Sequence, residues 1–233
     1  MLGKNVNSIF FFIPYVSDMV KKTILLVSHG NQIKFFLKKF FDRAYEKKVN
    51  HGAVLKFVVR KNWTSVQMIY NGKNCTDEFY KKKTFPKKFR VPTETITDAT
   101  IEKKDTIIIY LLRHGISEHN VSPKISKKDT SLVMDGKRDI VASRKYIPKK
   151  IFRLFSSPLL RTRQTIEYLL PKTYQPKEIF VIPNATEIEQ TYKKYKPNIP
   201  DEKNRDKPKS YHIIWEKYPE HSNFIDLMVK NIY

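Results

Sequence analysis

Two short apolar runs constrain the fold of this chain more than any other feature. Residues 24–30 read ILLVSHG, and residues 106–112 read TIIIYLL and are followed by Arg-His-Gly. Near-continuous apolar runs rich in β-branched residues are typical of strands buried on both faces of a sheet. Each run ends abruptly in a histidine and a glycine, so each predicted strand brings an imidazole to a backbone bend.

Strand and helix patterns alternate along much of the chain. The patterns predict an N-terminal helix over 5–20 that Pro14 starts or kinks, a helix over 31–45, a helix from Pro158 to Leu170 and a short helix at 224–233. Strands are predicted at 53–60 and 65–70, as a hairpin or meander followed by an Asn71-Gly72 turn, and at 151–157 and 178–183. This alternation indicates an α/β fold with three layers, in which a mainly parallel sheet carries helices on both faces.

Composition limits the setting and the partners. The chain has 233 residues and 40% hydrophobic content, enough for one substantial domain over 1–233. A single cysteine, Cys75, excludes an intrachain disulfide, and we expect an intracellular, cytoplasmic protein. The apolar run at 9–13 is cut by Pro14 and is too short for a membrane span, so we interpret it as core.

A formal charge of +22 favours anionic partners, although nucleotide-composition bias explains it equally well. Residues 73–104 have the composition of a linker, and residues 81–90, KKKTFPKKFR, hold six basic residues and two phenylalanines. Such a segment has the chemistry to bind a nucleic-acid backbone or an acidic partner. A solvated connector is the preferred interpretation, because blocks of like charge are usually disordered. The polar, proline-rich residues 191–222 resemble a lid.

Arginine and histidine side chains follow three of the predicted strands. Because the carboxyl ends of parallel strands meet at one edge of a sheet, we expect His29, Arg113, His114 and Arg161 to converge there. Guanidinium groups bind phosphoryl oxygens in a forked geometry, and a neutral imidazole can attack phosphorus. The set predicts phosphoryl-transfer chemistry.

Four segments carry a family resemblance. RHGISEHN at 113–120, SSPLLRTRQT at 156–165, TEI at 186–188 and VSHG at 27–30 resemble the signature segments of the histidine phosphatase superfamily, also called phosphoglycerate mutase-like. In the usual family order the SHG segment comes last, whereas here it precedes RHG by 85 positions. We interpret the difference as a circular permutation, in which 1–72 is the moved segment, 73–104 joins the old ends and 105–233 is the core with its lid.

The resemblance implies a role for each matching residue. His114 would be the nucleophile that becomes phosphohistidine, and Arg113, Arg161 and His29 would bind the phosphoryl oxygens. Glu187 would donate the proton to the leaving oxygen, with Glu189 as the alternative. The resemblance requires neither a metal nor another cofactor, and it implies substrate contacts for a further set of residues: Ser28, Gly30, Gly115, Ser117 and Asn120.

Other polar residues receive structural interpretations. We assign His212 and His221 to the surface and His51 to a turn before the hairpin. Arg138 and Arg163 fit surface or ion-pair positions better than phosphate contacts. Glu118 and His119 could contact substrate or form a solvated helix start.

Three functions follow from these features. The leading hypothesis is a metal-independent phosphatase of the histidine acid phosphatase type, acting on a phosphorylated anionic substrate. The second is a phosphoglycerate-type mutase, and the third is a phosphatase-fold scaffold that binds nucleic acid or acidic partners. The oligomeric state stays open, including a swapped dimer that supplies His29 in trans.

Overall fold

The computed structural model describes residues 22–41, 48–59, 64–73, 107–122, 124–125, 129–174, 176–191 and 194–216. Four predictions lie outside the described residues: the helix at 5–20, most of the linker with its basic segment 81–90, the surface position of His221, and the C-terminal helix.

The strands are β1 (Lys22–Ser28), β2 (Val54–Val59), β3 (Thr64–Tyr70), β4 (Ile107–Arg113), β5 (Arg153–Ser156), β6 (Glu178–Val181), β7 (Ile188–Thr191), β8 (Lys194–Pro197) and β9 (His212–Trp215). The helices are α1 (Gly30–Phe41), α2 (Glu118–Val121), α3 (Met134–Ser143) and α4 (Leu160–Leu169), and short 3₁₀ helices cover Arg144–Tyr146, Pro183–Ala185 and Glu202–Asn204.

Seven of the described strands form one mixed sheet in the order β3-β2-β4-β1-β5-β6-β9. The pairs among β4, β1, β5, β6 and β9 are all parallel, whereas β2 pairs antiparallel with both β3 and β4. The predicted mainly parallel sheet and the predicted hairpin are therefore confirmed.

Both faces of the sheet are covered, which explains the uninterrupted apolar runs. Alternate residues of β1 point to opposite faces. Ile24 and Leu26 pack in one cluster with Ile33 and Leu37 of α1. Leu25 and Val27 join a second cluster with side chains of α3 and α4, among them Ile140 and Ile166. The described core thus has the three layers that the sequence predicts.

The register between β1 and β4 positions the site. The strands run parallel from Lys22↔Ile107 to Ser28↔Arg113. The residue that follows each strand is a histidine. The backbone N–H of His114 donates to the carbonyl of Ser28 at 3.0 Å. Two imidazoles therefore leave the sheet side by side at its carboxyl edge.

The segment interpreted as a lid contains two unpredicted strands, β8 and β9. β9 pairs parallel with β6 at the edge of the central sheet, and β7 and β8 form a separate two-stranded sheet. The run HIIW is too short within polar sequence to stand out as a strand. Residues 212–215 therefore belong to the sheet and not to a lid, while His212 is exposed, as expected.

Candidate functional site

The site begins with two buried histidines at the ends of β1 and β4. The side chains of His29 and His114 are 0% and 1% exposed, and their ring centroids lie 5.0 Å apart in an edge-to-face arrangement. The two predicted site histidines, 85 positions apart in the sequence, are thus neighbours in the fold.

The hydrogen bonds of His114 fix its tautomer. Its Nδ1 lies 2.6 Å from the carbonyl oxygen of Gly115. A carbonyl oxygen only accepts, so Nδ1 carries the hydrogen and Nε2 keeps its lone pair. The Nε–H of Arg161 points at this lone pair from 3.4 Å. His114 therefore presents an unprotonated nitrogen to the centre of the site.

Arg161 connects His114 to Glu187. Arg161 lies in the first turn of α4 and is fully buried. Its Nη2 donates to Glu187 Oε2 at 2.6 Å. The same carboxylate oxygen lies 3.8 Å from His29 Nδ1. Glu187 thus borders both the guanidinium group and the second imidazole, whereas the side chain of Glu189 lies outside the described part of the structure.

The turn that carries Glu187 is attached to β1 and α1. Ser28 Oγ donates to the carbonyl of Ala185 at 3.3 Å, and Gln32 Nε2 donates to the carbonyl of Thr186 at 2.7 Å. Ser28, predicted as a substrate contact, points in this structure toward the Glu187 turn. It helps to hold the carboxylate beside the two histidines.

His29 is oriented by a serine that the sequence analysis did not single out. Ser157, which directly follows β5, lies with its Oγ 2.6 Å from His29 Nε2. His29 Nδ1 is buried and makes no hydrogen bond to a described residue. If Ser157 donates its hydroxyl hydrogen, Nδ1 carries the imidazole hydrogen and is available as a donor toward the centre of the site.

Arg113 is held from three sides. Its Nη1 donates to the carbonyl of Val49 at 2.5 Å, and its Nη2 lies 2.9 Å from His51 Nε2. Gly30 faces the guanidinium group so closely that a Cβ there would lie 3.0 Å from Nε of Arg113. The Nε of Arg113 is buried and has no hydrogen-bond partner among the described residues. Gly30, predicted as a substrate contact, thus makes room for Arg113.

The remaining predicted contacts lie in the loop after β4. A Cβ on Gly115 would meet the carbonyl oxygen of Gly136 at 2.7 Å, so this glycine permits close packing against α3. Ser117 Oγ donates to Asn120 Oδ1 at 2.9 Å, and the backbone N–H of Ser117 donates to the same oxygen at 3.1 Å. Ser117 and Asn120 therefore bond to each other at the start of α2.

Burial and positive charge keep the imidazoles neutral. Burial lowers the pKa of His114 well below 6.5, and Arg161, His29 and Arg113 lower it further. Burial likewise lowers the pKa of His29 well below 6.5, assisted by Arg161 and Arg113. The charged form is disfavoured because it loses hydration and is repelled by the guanidinium groups. A site with two arginines and neutral imidazoles is suited to a phosphoryl dianion.

Comparison with protein families agrees with this geometry. The family model of the histidine phosphatase superfamily (branch 1) matches residues 109–222, which contain His114, Arg161 and Glu187. The matched part of the chain is therefore similar to the histidine phosphatase superfamily. This similarity supports a phosphoryl-transfer enzyme of the phosphatase or mutase type. Searches of curated proteins and of solved structures find no significant match.

The superfamily match does not include every residue of the site. His29 and His51 lie before residue 109, and both rings adjoin His114, with centroids at 5.0 and 5.5 Å.

Among the described residues, no group of histidine, cysteine or acidic side chains is arranged to hold a metal ion. None of the described helices has the length and apolar character of a membrane span.

Two arginines outside the phosphate-binding set differ from each other. Arg138 is exposed and pairs with Asp135 at 3.4 Å, as expected. For Arg163 the predicted surface or ion-pair position is wrong: the side chain is fully buried and donates to the carbonyls of Asn204, Arg205 and Lys207. The reason is that a loop distant in sequence folds over this side chain and uses its N–H donors.

Two other residues, His51 and Asp129, show what sequence patterns miss. His51 does lie in the predicted turn, yet its ring contacts the site. Asp129 accepts from the backbone N–H of Leu160, at the start of α4, and from that of Asp201. Glu118 is exposed, as in a solvated helix start, and His119 is half-buried. No local motif marks Asp129, since its partners come from distant segments.

Proposed function

We propose that this protein is a metal-independent phosphatase that hydrolyses a phosphomonoester through a phosphohistidine on His114. The observation that carries the proposal is the unprotonated Nε2 of His114, buried between Arg161 and the His29 ring. A buried neutral imidazole beside guanidinium groups combines a nucleophile with donors for the charge that develops on phosphorus.

In the first step, His114 Nε2 attacks phosphorus, so an N–P bond forms while the bond to the leaving oxygen breaks. Glu187 gives a proton to that oxygen. Glu187 pairs with Arg161 at 2.6 Å as a carboxylate. Phosphoryl oxygens would compete for the same guanidinium group, so substrate binding releases the carboxylate, which takes up a proton from solvent and then acts as the acid.

In the second step, water attacks the phosphohistidine. The carboxylate of Glu187 takes a proton from this water, an O–P bond forms and the N–P bond breaks. The products are inorganic phosphate and His114 with its Nε2 again unprotonated. Arg113, Arg161 and His29 Nδ1 donate to the equatorial oxygens in both steps.

The test is hydrolysis of p-nitrophenyl phosphate in the presence of EDTA. We expect turnover by wild type, complete loss of turnover in His114→Ala, and an acid-labile phosphoryl label on wild type but not on His114→Ala. His212→Ala changes an exposed histidine at the sheet edge and is the matched control. Full activity in His114→Ala would contradict the proposal. Incubation with phosphoglycerate isomers separates a phosphatase from a mutase, because only a mutase returns the group to a second hydroxyl.

A further inference from the structure

His51 is a third imidazole at the site and has no part in the steps above. Its ring centroid lies 5.5 Å from that of His114, and the residue is half-buried. We propose that His51 is a positioning residue for phosphoryl binding, which acts by holding the guanidinium group of Arg113 in place. The inference deepens the proposed function and rests on it for its catalytic consequence.

The contact with Arg113 defines the state of His51. The guanidinium Nη2 can only donate, so His51 Nε2 at 2.9 Å must accept. His51 is therefore neutral in this contact and carries its hydrogen on Nδ1. Burial, Arg113 and Lys48 lower the pKa of His51 to about 3, although a hydrogen bond with Asn120 raises it. The acceptor thus persists at neutral pH.

The loop that carries His51 is built to hold one position. Asn71 Oδ1 accepts from the backbone N–H of Asn50 at 2.7 Å, and Asn50 Nδ2 donates to the carbonyl of Asn71 at 2.9 Å. Gly52 has a φ of +72°, which favours glycine, and its carbonyl accepts from Ser143 at 2.9 Å. His51 is therefore fixed by neighbours on both sides.

The backbone of Arg113 is attached to the same loop. Its N–H donates to the carbonyl of Ala53 at 3.0 Å, and its carbonyl accepts from Gly52 at 3.1 Å. The loop therefore forms hydrogen bonds with the main chain of Arg113 and, through Val49 and His51, with two of its side-chain nitrogens. The remaining N–H groups are left to bind a phosphoryl oxygen.

The test uses inorganic phosphate as the ligand and calorimetry as the first measurement, because phosphate binding does not require turnover. His51→Gln keeps an acceptor of similar reach, whereas His51→Met has similar length without an amide oxygen. We expect His51→Met to weaken phosphate binding and to lower kcat/KM for p-nitrophenyl phosphate by about 10- to 100-fold, the range for losing a hydrogen bond to a charged group. His51→Gln should recover most of both.

A double-variant cycle with Arg113→Ala distinguishes positioning from direct contact. In that background His51→Met should change phosphate affinity by less than about twofold, because the group through which it acts is gone. Multiplicative effects in the double variant would overturn the inference, as would wild-type affinity in His51→Met or equal losses in the Gln and Met variants. His212→Ala should match wild type.

The outcomes separate this inference from the proposed function. If phosphate binding depends on His51 but wild type hydrolyses no phosphomonoester, the proposed phosphatase activity is refuted and the positioning role stands. Hydrolysis that is indifferent to His51→Met would refute the positioning role alone. A wild-type protein that binds no phosphate would overturn both.

Discussion

Replacing Gly30 with alanine should separate activity from stability. A Cβ at Gly30 would lie 3.0 Å from Nε, 3.1 Å from Cζ and 3.3 Å from Cδ of Arg113. Comfortable contacts need about 3.5 Å, so the guanidinium group must move by about 0.5 Å. Its bonds to Val49 and His51 oppose this movement.

The expected loss follows from the size of this displacement. A misplacement of about 1 Å in an active site costs roughly 100-fold in rate, so about 0.5 Å should lower kcat/KM about tenfold. Gly30 is the first residue of α1 and its backbone is not in the left-handed region. Alanine there restricts the unfolded chain, which stabilises the fold by about 0.4–1 kcal/mol and offsets part of the steric cost.

The assay compares kcat/KM for p-nitrophenyl phosphate with the thermal midpoint of unfolding. Asn31→Ala changes the exposed neighbour in the same helix turn and should leave both values near those of wild type. Full activity in a stably folded Gly30→Ala protein would refute the reasoning, because Arg113 would then tolerate displacement. A large loss of stability would show that the loop around Arg113 cannot adjust.

Three further predictions concern pH, the start of α4 and the acid. The folded-state pKa values of His29, His51 and His114 lie below the unfolded value of 6.5, so the unfolded chain binds more protons below pH 6.5. The thermal midpoint of unfolding should therefore fall as pH drops from 6.5 toward 4, and His51→Gln should make this dependence on pH less steep. A midpoint that does not change with pH would contradict buried, neutral histidines. Asp129→Ala removes the acceptor for buried backbone donors and should lower the free energy of unfolding by about 2–3 kcal/mol in urea titrations, whereas no change would show that water replaces the carboxylate. Glu187→Gln should lower kcat by 100-fold or more for a poor alkyl leaving group but far less for p-nitrophenolate, and equal losses would argue against a proton donor.

Strand patterns predicted most of what brings the site together. Both apolar runs became adjacent buried strands, and their parallel register sets His29 beside His114. The helix after Pro158 forms as α4 and carries Arg161. These features follow from local periodicity and from the rule that parallel strands share a carboxyl edge, so no tertiary information was needed.

The supporting residues could not be predicted in the same way. His51 reaches Arg113 only because β2 pairs antiparallel with β4, and Arg163 is buried only because residues 204–207 cover it. Such contacts depend on which distant segments meet, and the residue types alone are compatible with a solvated surface. The circular permutation also stays a prediction, although β1 does lie between β4 and β5 in the sheet.

The central pairing of β1 with β4 has a consequence for how the protein matures. The paired strands begin at Lys22 and Ile107, so the whole chain between them must be made and its loop closed before the two histidines can meet. Contacts of such long sequence separation form slowly, since the entropy of closing the loop is lost before the pairing repays it. Recovery of catalytic activity after denaturation should therefore lag behind the recovery of helical signal, and newly synthesised chains should acquire phosphoryl-transfer chemistry only after most of the sheet has assembled.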